Sequence, residues 1–341
     1  MVNEVQSHRP LKISKWVKRI VLVLVLVLIV WFVVVPEYGG AKNGFNSLRH
    51  ASILLVVVAA LLEIASLLSF SALTATVIRK KRPSYFTLLR IDLTDLGVNH
   101  VVPGGGATAG VVRFHLLKKA GVPSSRALTA ASIEIIVSNI MLGFVFLVGI
   151  VGSISSLAFN KLYLASGIIV LVIVVIAFVS AWLLTKHTDM IITLVLRLAK
   201  KFSDQNRIKA SNFITLMANE INKIRHSPKQ ILYMAVFGFL NWLLDASALW
   251  IILIALGYSL NFSGLLVAYG VASILSLLPI TPGGIGIVEG ILVPTLVGFG
   301  VPGALALISV IGWRILEFWI PIPVSLVSYL TLRFGVLKGA G

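Results

Sequence analysis

The segment Ile280-Thr281-Pro282-Gly283-Gly284-Ile285-Gly286-Ile287-Val288-Glu289-Gly290 interrupts a long apolar region with a proline and a cluster of glycines. A continuous helix is disfavoured there, because proline lacks an N–H and glycine readily adopts turn conformations. A second interruption, Val102-Pro103-Gly104-Gly105-Gly106, lies upstream, with Pro103 and Pro282 179 residues apart. The same offset carries the apolar run His50–Ile78 onto 229–257, where a second run, Gln230–Gly257, lies. It also carries the start of the run Ala127–Val151 onto residue 306, close to the start of the run Ala304–Leu332. Each unit therefore reads as a span, a glycine-broken hairpin and a span.

Composition says what kind of solvent these runs meet. The 341 residues are 58% hydrophobic and 12% charged, against about 25% charged in soluble domains. The mean hydropathy is +1.01. A soluble enzyme could not keep so much apolar surface from water. The formal charge of +17 comes from basic residues lying between apolar runs, which is not the basic face of a nucleic-acid binder, so no nucleic acid is expected as a partner. With no cysteine, disulfides, thiol catalysis and iron–sulfur clusters are excluded. The expectation is an all-α polytopic membrane protein.

Six runs have the roughly 20 residues a spanning helix needs: Trp16–Val35, His50–Ile78, Ala127–Val151, Lys161–Thr185, Gln230–Gly257 and Ala304–Leu332. The first follows several lysines, but Val33-Val34-Val35-Pro36 is no signal-peptidase site, so it reads as a retained span. With the N-terminus inside, all of the 29 basic residues except Lys42, Arg49, Lys161 and Arg314 fall on the cytoplasmic side. That bias places both termini in the cytoplasm. It holds only if Pro83–Arg126 and Tyr258–Gly303 make no net crossing, so both read as re-entrant hairpins or pairs of short helices. The two units then enter from opposite sides as an inverted-topology repeat. The resulting organisation is a basic segment and first span over 1–49, and a first repeat over 50–151. The fourth span and a basic loop occupy 152–229, the second repeat 230–335, and a tail 336–341. Within the loop, Ile191, Val195, Leu198 and Phe202 form one apolar stripe and Phe213, Leu216, Met217, Ile221 and Ile224 another, as in helices lying on a membrane surface.

Candidate site residues follow from the breaks. Gly104, Gly105, Gly106, Pro282, Gly283, Gly284 and Gly286 each precede a helical pattern, and a helix start offers unpaired N–H groups to an anion. Ionisable residues at membrane depth usually face a cavity or a partner. Glu63, Glu134, Asp245 and Glu317 are candidates for charge compensation or proton carrying. Glu289 could meet a cationic headgroup, carry a proton or cap its helix. Arg314 and Glu317, three apart, could pair structurally, or Arg314 could hold a lipid phosphate. Arg90, Asp92, Asp95, His100 and Arg113 are expected to line an aqueous vestibule. The six histidines are scattered without ligand spacing, so no metal and no cofactor is expected. No GxxxxGK[ST] motif is present, so ATP hydrolysis is not expected.

The segment Ile280–Gly290 resembles the hallmark of the lysylphosphatidylglycerol synthase transmembrane region, also called the flippase-like domain family. Val102-Pro103-Gly104-Gly105-Gly106-Ala107-Thr108-Ala109-Gly110 is similar to its other recurrent segment. The resemblance spans about His50 to Phe334. It implies a multi-pass protein of a prokaryotic cytoplasmic membrane that moves lipids between leaflets. Its partners would be anionic or aminoacylated phospholipids or glycolipids, with a homodimer as the candidate assembly. Nine residues follow Leu332, so the aminoacyltransferase domain of the best-known members is not expected and the chain is not expected to be an enzyme. A lipid flippase or scramblase is the leading expectation. A secondary transporter of a small anionic solute and a membrane enzyme using a lipid-linked donor are the rivals.

Overall fold

The computed structural model describes residues 51–79, 82–102, 105–153, 227–277 and 281–336, with a few isolated positions between 190 and 222. The expected spans Trp16–Val35 and Lys161–Thr185, Gly104, the tail, and most of the loop with its two stripes lie outside the described residues. Among those described, every regular element is a helix. They are α1 (Ile53–Ile78), α2 (Tyr85–Val101), α3 (Gly105–Lys119), α4 (Ser124–Ser153), α5 (Pro228–Ala255), α6 (Phe262–Ser276), α7 (Ile287–Gly298), α8 (Gly303–Arg314) and α9 (Pro321–Thr331). Four helical runs are long and apolar enough to cross a membrane: α1, α4, α5 and the continuous stretch Gly303–Gly335 that contains α8 and α9. Their outer faces carry Ile53, Leu54, Leu61, Ile64, Leu232, Leu326 and Val327, all exposed. An apolar exterior of this extent suits lipid and not water.

Helix α1 lies antiparallel along α5. The Ser52 N–H donates to the Ala255 carbonyl (3.2 Å) at one end, and Arg79 Nη1 donates to Gln230 Oε1 (3.3 Å) at the other. Midway, Asn241 Nδ2 donates to both the carbonyl (3.2 Å) and Oγ (2.9 Å) of Ser66. Two apolar cores flank this pair. One gathers Ile78 of α1, Leu88 of α2, Leu117 of α3, Ala127 of α4, Met234 of α5 and Leu332 after α9. The other gathers Leu253 of α5, Leu265 of α6, Leu296 of α7 and Ala306 of α8. Helices α2 and α3 thus start and finish at the first core, and α6 and α7 at the second. The two hairpins enter the bundle from opposite ends.

Local sequence explains the turns. Ser84 Oγ accepts from the Thr87 N–H (3.2 Å) to start α2, and Asn261 Oδ1 accepts from the Ser263 N–H (2.9 Å) to start α6. At the Pro282–Gly284 turn, Gly283, Gly284 and Gly286 have φ of 52°, 70° and 81°, a region costly for residues with a Cβ. A Cβ on Gly283 would lie 2.3 Å from Phe318 and 3.2 Å from the His100 Cα. The second turn therefore rests directly on the inner end of α2. In the last long run, Ile315–Trp319 widens into a π-helical turn in which the Ile320 N–H reaches the Ile315 carbonyl (2.9 Å). Pro321 and Pro323 follow, and their missing N–H groups and rings prevent regular α-helical bonding to the turn before them.

Candidate functional site

Where the Pro282–Gly284 turn rests on α2, a chamber of about 460 Å³ opens between the hairpins. Gly106, Gly283, Gly284 and Thr281 line it from the turns, and Asp95, Asn99, His100 and Arg113 from the first hairpin. Trp242 and Asp245 of α5 and Arg314 and Glu317 of the last run complete the wall. A second cavity of about 240 Å³ adjoins it, with Asp95, Asn99, Trp242, Asp245 and Glu317 common to both walls and Glu63, Asp92 and Ser66 added. Arg90, expected at a vestibule, is half-buried and lines neither cavity.

Arg113 projects from α3 into the centre of an acidic cage and is only 4% exposed. Its Nη2 lies 2.9 Å from Asp92 Oδ1, its Nη1 3.5 Å from Asp95 Oδ2, and Nη2 also pairs with Glu134 of α4. Nη2 donates to Thr74 Oγ1 of α1 as well (2.7 Å), and the guanidinium sits over the Phe70 ring. Asp92 and Glu134 are as buried as the arginine. The polarity of the first hairpin pointed to a vestibule lined by Asp92, Asp95 and Arg113. The fold places them on the cavity walls and also draws them together with Glu134, because four helices converge there and buried charges must pair.

Arg314 carries the second cluster. Its Nε donates to Glu289 Oε1 (2.6 Å), its Nη1 to Glu317 Oε2 (2.9 Å) and its Nη2 to the Gly283 carbonyl (3.3 Å). The other oxygen of Glu289 accepts from the Gly286 N–H (2.6 Å), so this carboxylate caps α7 and fixes Arg314 together. The guanidinium lies over Phe318. His100 also stacks on Phe318 at 4.2 Å, with Nδ1 3.3 Å from the Phe318 carbonyl and Nε2 3.9 Å from Glu317 Oε1. Each nitrogen of Arg314 thus already has an acceptor on the protein.

The third cluster contains no arginine. Asp245 accepts from Tyr269 Oη of α6 at one oxygen and from Trp313 Nε1 of α8 at the other, both at 2.6 Å. Glu63 of α1 faces Asp245 within hydrogen-bonding reach, brought there by the antiparallel register that sets Ser66 beside Asn241. Tyr269, Trp242, Trp313 and Ser138 were not singled out from sequence. The repeat offset carries Glu63 onto Trp242 and Glu134 onto Trp313, which was the available signal.

All seven acidic residues among those described, Glu63, Asp92, Asp95, Glu134, Asp245, Glu289 and Glu317, line these cavities or hold an arginine that does. Among the described residues, only Arg113, Arg314 and His100 oppose them there. Among the described residues no group of histidine and acidic side chains has the geometry of a metal site. The hairpin α2–α3 turns its other face outward. There Val101, Val111, Val112 and Leu116, with Leu326 of α9, line an apolar groove of about 870 Å³ whose wall also includes Lys119 and Arg333.

Fold and site together define a polytopic helical membrane protein with an acidic chamber between two broken hairpins. Residues 19–325 match the family described as the lysylphosphatidylglycerol synthase TM region, and the chain belongs to that family. A protein of Methanothermobacter thermautotrophicus named UPF0104 membrane protein is 23% identical over 291 residues, covering 80% of this chain and 84% of that protein. A further match to a protein of the same name and organism is 32% identical over 84 residues, a quarter of each chain.

Proposed function

We propose that this protein translocates a lipid between leaflets, passing the headgroup through the chamber while the tails stay against the apolar groove. The observation that carries the reading is a polar chamber inside an otherwise lipid-facing bundle, lined by Gly106 of α3 and by Gly283 and Gly284 of the second turn. Hairpins entering from opposite ends fit an inverted repeat with re-entrant segments, an architecture in which the site forms where the breaks meet. The first hairpin supports the reading with its two faces, one polar toward the chamber and one apolar toward the groove. Family membership supports a membrane-lipid role. The acidic excess favours a headgroup that brings a positive group, as an aminoacylated phospholipid does, over a purely anionic one. Arg314, saturated by Glu289, Glu317 and Gly283, would need to exchange a partner to hold a phosphate.

The test is reconstitution of the full chain into vesicles of phosphatidylglycerol and phosphatidylethanolamine. Trace tail-labelled phosphatidylglycerol, phosphatidylethanolamine or lysyl-phosphatidylglycerol reports inner-leaflet lipid by its protection from an impermeant quencher. The expected outcome is a protein-dependent loss of protection, fastest for the aminoacylated lipid. Identical rates in protein-free vesicles for all three lipids overturn the reading.

A further inference from the structure

Among the acidic clusters described, the Glu63–Asp245 pair is the one that holds no arginine. Both carboxyls are buried, Glu63 at 5% and Asp245 at 8% exposure. Tyr269 Oη and Trp313 Nε1 occupy both oxygens of Asp245 as donors, and an indole N–H can only donate. Asp245 is therefore held as an acceptor. Glu63 Oε2 is the opposite case, buried with no N–H or O–H donor of another residue in reach. A carboxylate in that position would leave a charge without solvation or partner. A carboxylic acid would place its O–H toward Asp245. Two carboxyls at hydrogen-bond reach in a buried site hold one proton between them, because two bare anions there repel.

The surroundings fix what that proton responds to. From α6 the pair meets Tyr269, and from the π-helical turn after α8 it meets Glu317, itself held by Arg314. From α2, Asp92, Asp95 and His100 lie on the walls of the same two cavities, with Asp92 and Asp95 bound to Arg113. The pair joins α1 to α5, and Asp245 lines both cavities, so a proton can reach it from the chamber. Loss of the proton sets two anions face to face with Glu317 nearby. The repulsion falls on the π-helical turn Ile315–Trp319, a segment already displaced from α-helical bonding.

We propose that Glu63 and Asp245 form a proton-carrying site that couples lipid movement to a transmembrane proton gradient. This rests on the lipid-translocation reading above, and adds the energy source to it. Proton transfer here makes and breaks only O–H bonds: the proton passes from water to Glu63, is shared with Asp245 Oδ, and returns to water on the other side.

The experiment uses the full chain in the same vesicles, with and without an imposed pH difference, for wild type and the near-isosteric variants Glu63→Gln and Asp245→Asn. In parallel, a hydrophobic carbodiimide, which reacts with protonated carboxyls in apolar surroundings, is mapped onto the wild-type chain by mass spectrometry at several pH values. The expected result is a severalfold acceleration of wild-type translocation by the pH difference. Both variants lose that acceleration, and the carbodiimide label falls on Glu63 and fades as pH rises. Wild-type translocation at one rate with and without the pH difference overturns coupling while leaving the lipid reading intact. Absence of lipid movement under every condition overturns the lipid reading and the coupling with it. A carboxyl label that never falls on Glu63 or Asp245 overturns the proton site even where the variants fold poorly.

Discussion

Arg113 shows how strongly one residue can be committed to its neighbours. Three carboxylates from α2 and α4 surround a single guanidinium, and Glu134 is fully buried. Removing the cation leaves those charges in a low-dielectric site, and breaking a buried pair in this way costs about 3–5 kcal/mol. Arg113→Met is therefore expected to lower the melting temperature of the detergent-purified protein and its folded yield. Combining it with Asp92→Asn, Asp95→Asn and Glu134→Gln removes the uncompensated charge and is expected to restore much of that loss. A quadruple variant no more stable than Arg113→Met would show that the cluster's charge is not what Arg113 answers. At this scale the sequence identified the acidic and basic residues at membrane depth but not their partners. Asp92 and Glu134 are far apart in sequence, and only the packing of α2 and α4 on α1 and α3 brings them to one arginine.

At the scale of elements, the turn at Pro282–Gly284 is the sharpest constraint. Gly283 has φ of 52°, and a Cβ would meet Phe318 at 2.3 Å. Gly283→Ala is expected to push Phe318 off His100, disturb the Arg314 cluster and abolish lipid translocation. Gly290, on α7 with open space around it, is the matched control. Gly290→Ala is expected to leave the melting temperature unchanged or slightly higher, since alanine is favoured over glycine within a helix by about 0.5–1 kcal/mol. Equal behaviour of the two variants in melting and translocation assays would remove the special role of the turn. The break itself was legible, because proline and repeated glycine punctuate an apolar run. The π-helical turn was not anticipated, although Pro321 and Pro323 stand within the last run and mark where regular bonding must fail.

For the whole molecule, the described basic residues at the ends of α1, α3 and α5 group with one core. Arg79 ends α1, Lys119 ends α3, and Lys229 begins α5, all at the end built around Ile78, Leu117 and Met234. By the positive-inside rule, that end is expected to face the cytoplasm. The chain has no cysteine, so single thiols can be introduced without background. Exposed Arg82→Cys, Ser124→Cys and Lys229→Cys are expected to react with an impermeant maleimide only in inside-out membrane vesicles. Asn261→Cys and Pro302→Cys, at the opposite core, are expected to react only from outside. Labelling of both groups from one side would overturn the orientation and the opposed entry of the hairpins.

The sequence by itself determined that this is a helical membrane protein, where four of its long helices run, and where two hairpins break. Those properties are local or compositional: apolar length, charge bias and proline–glycine punctuation act on a segment wherever it is placed. Only the tertiary structure decided that the second turn rests on α2, that Glu289 both caps α7 and binds Arg314, and that Glu63 faces Asp245. Those contacts depend on the register of α1 against α5 and on which helix faces turn inward, and no single segment encodes them. Buried charge makes the difference consequential, because in a low-dielectric interior the partner of a carboxyl decides whether it holds an arginine or a proton.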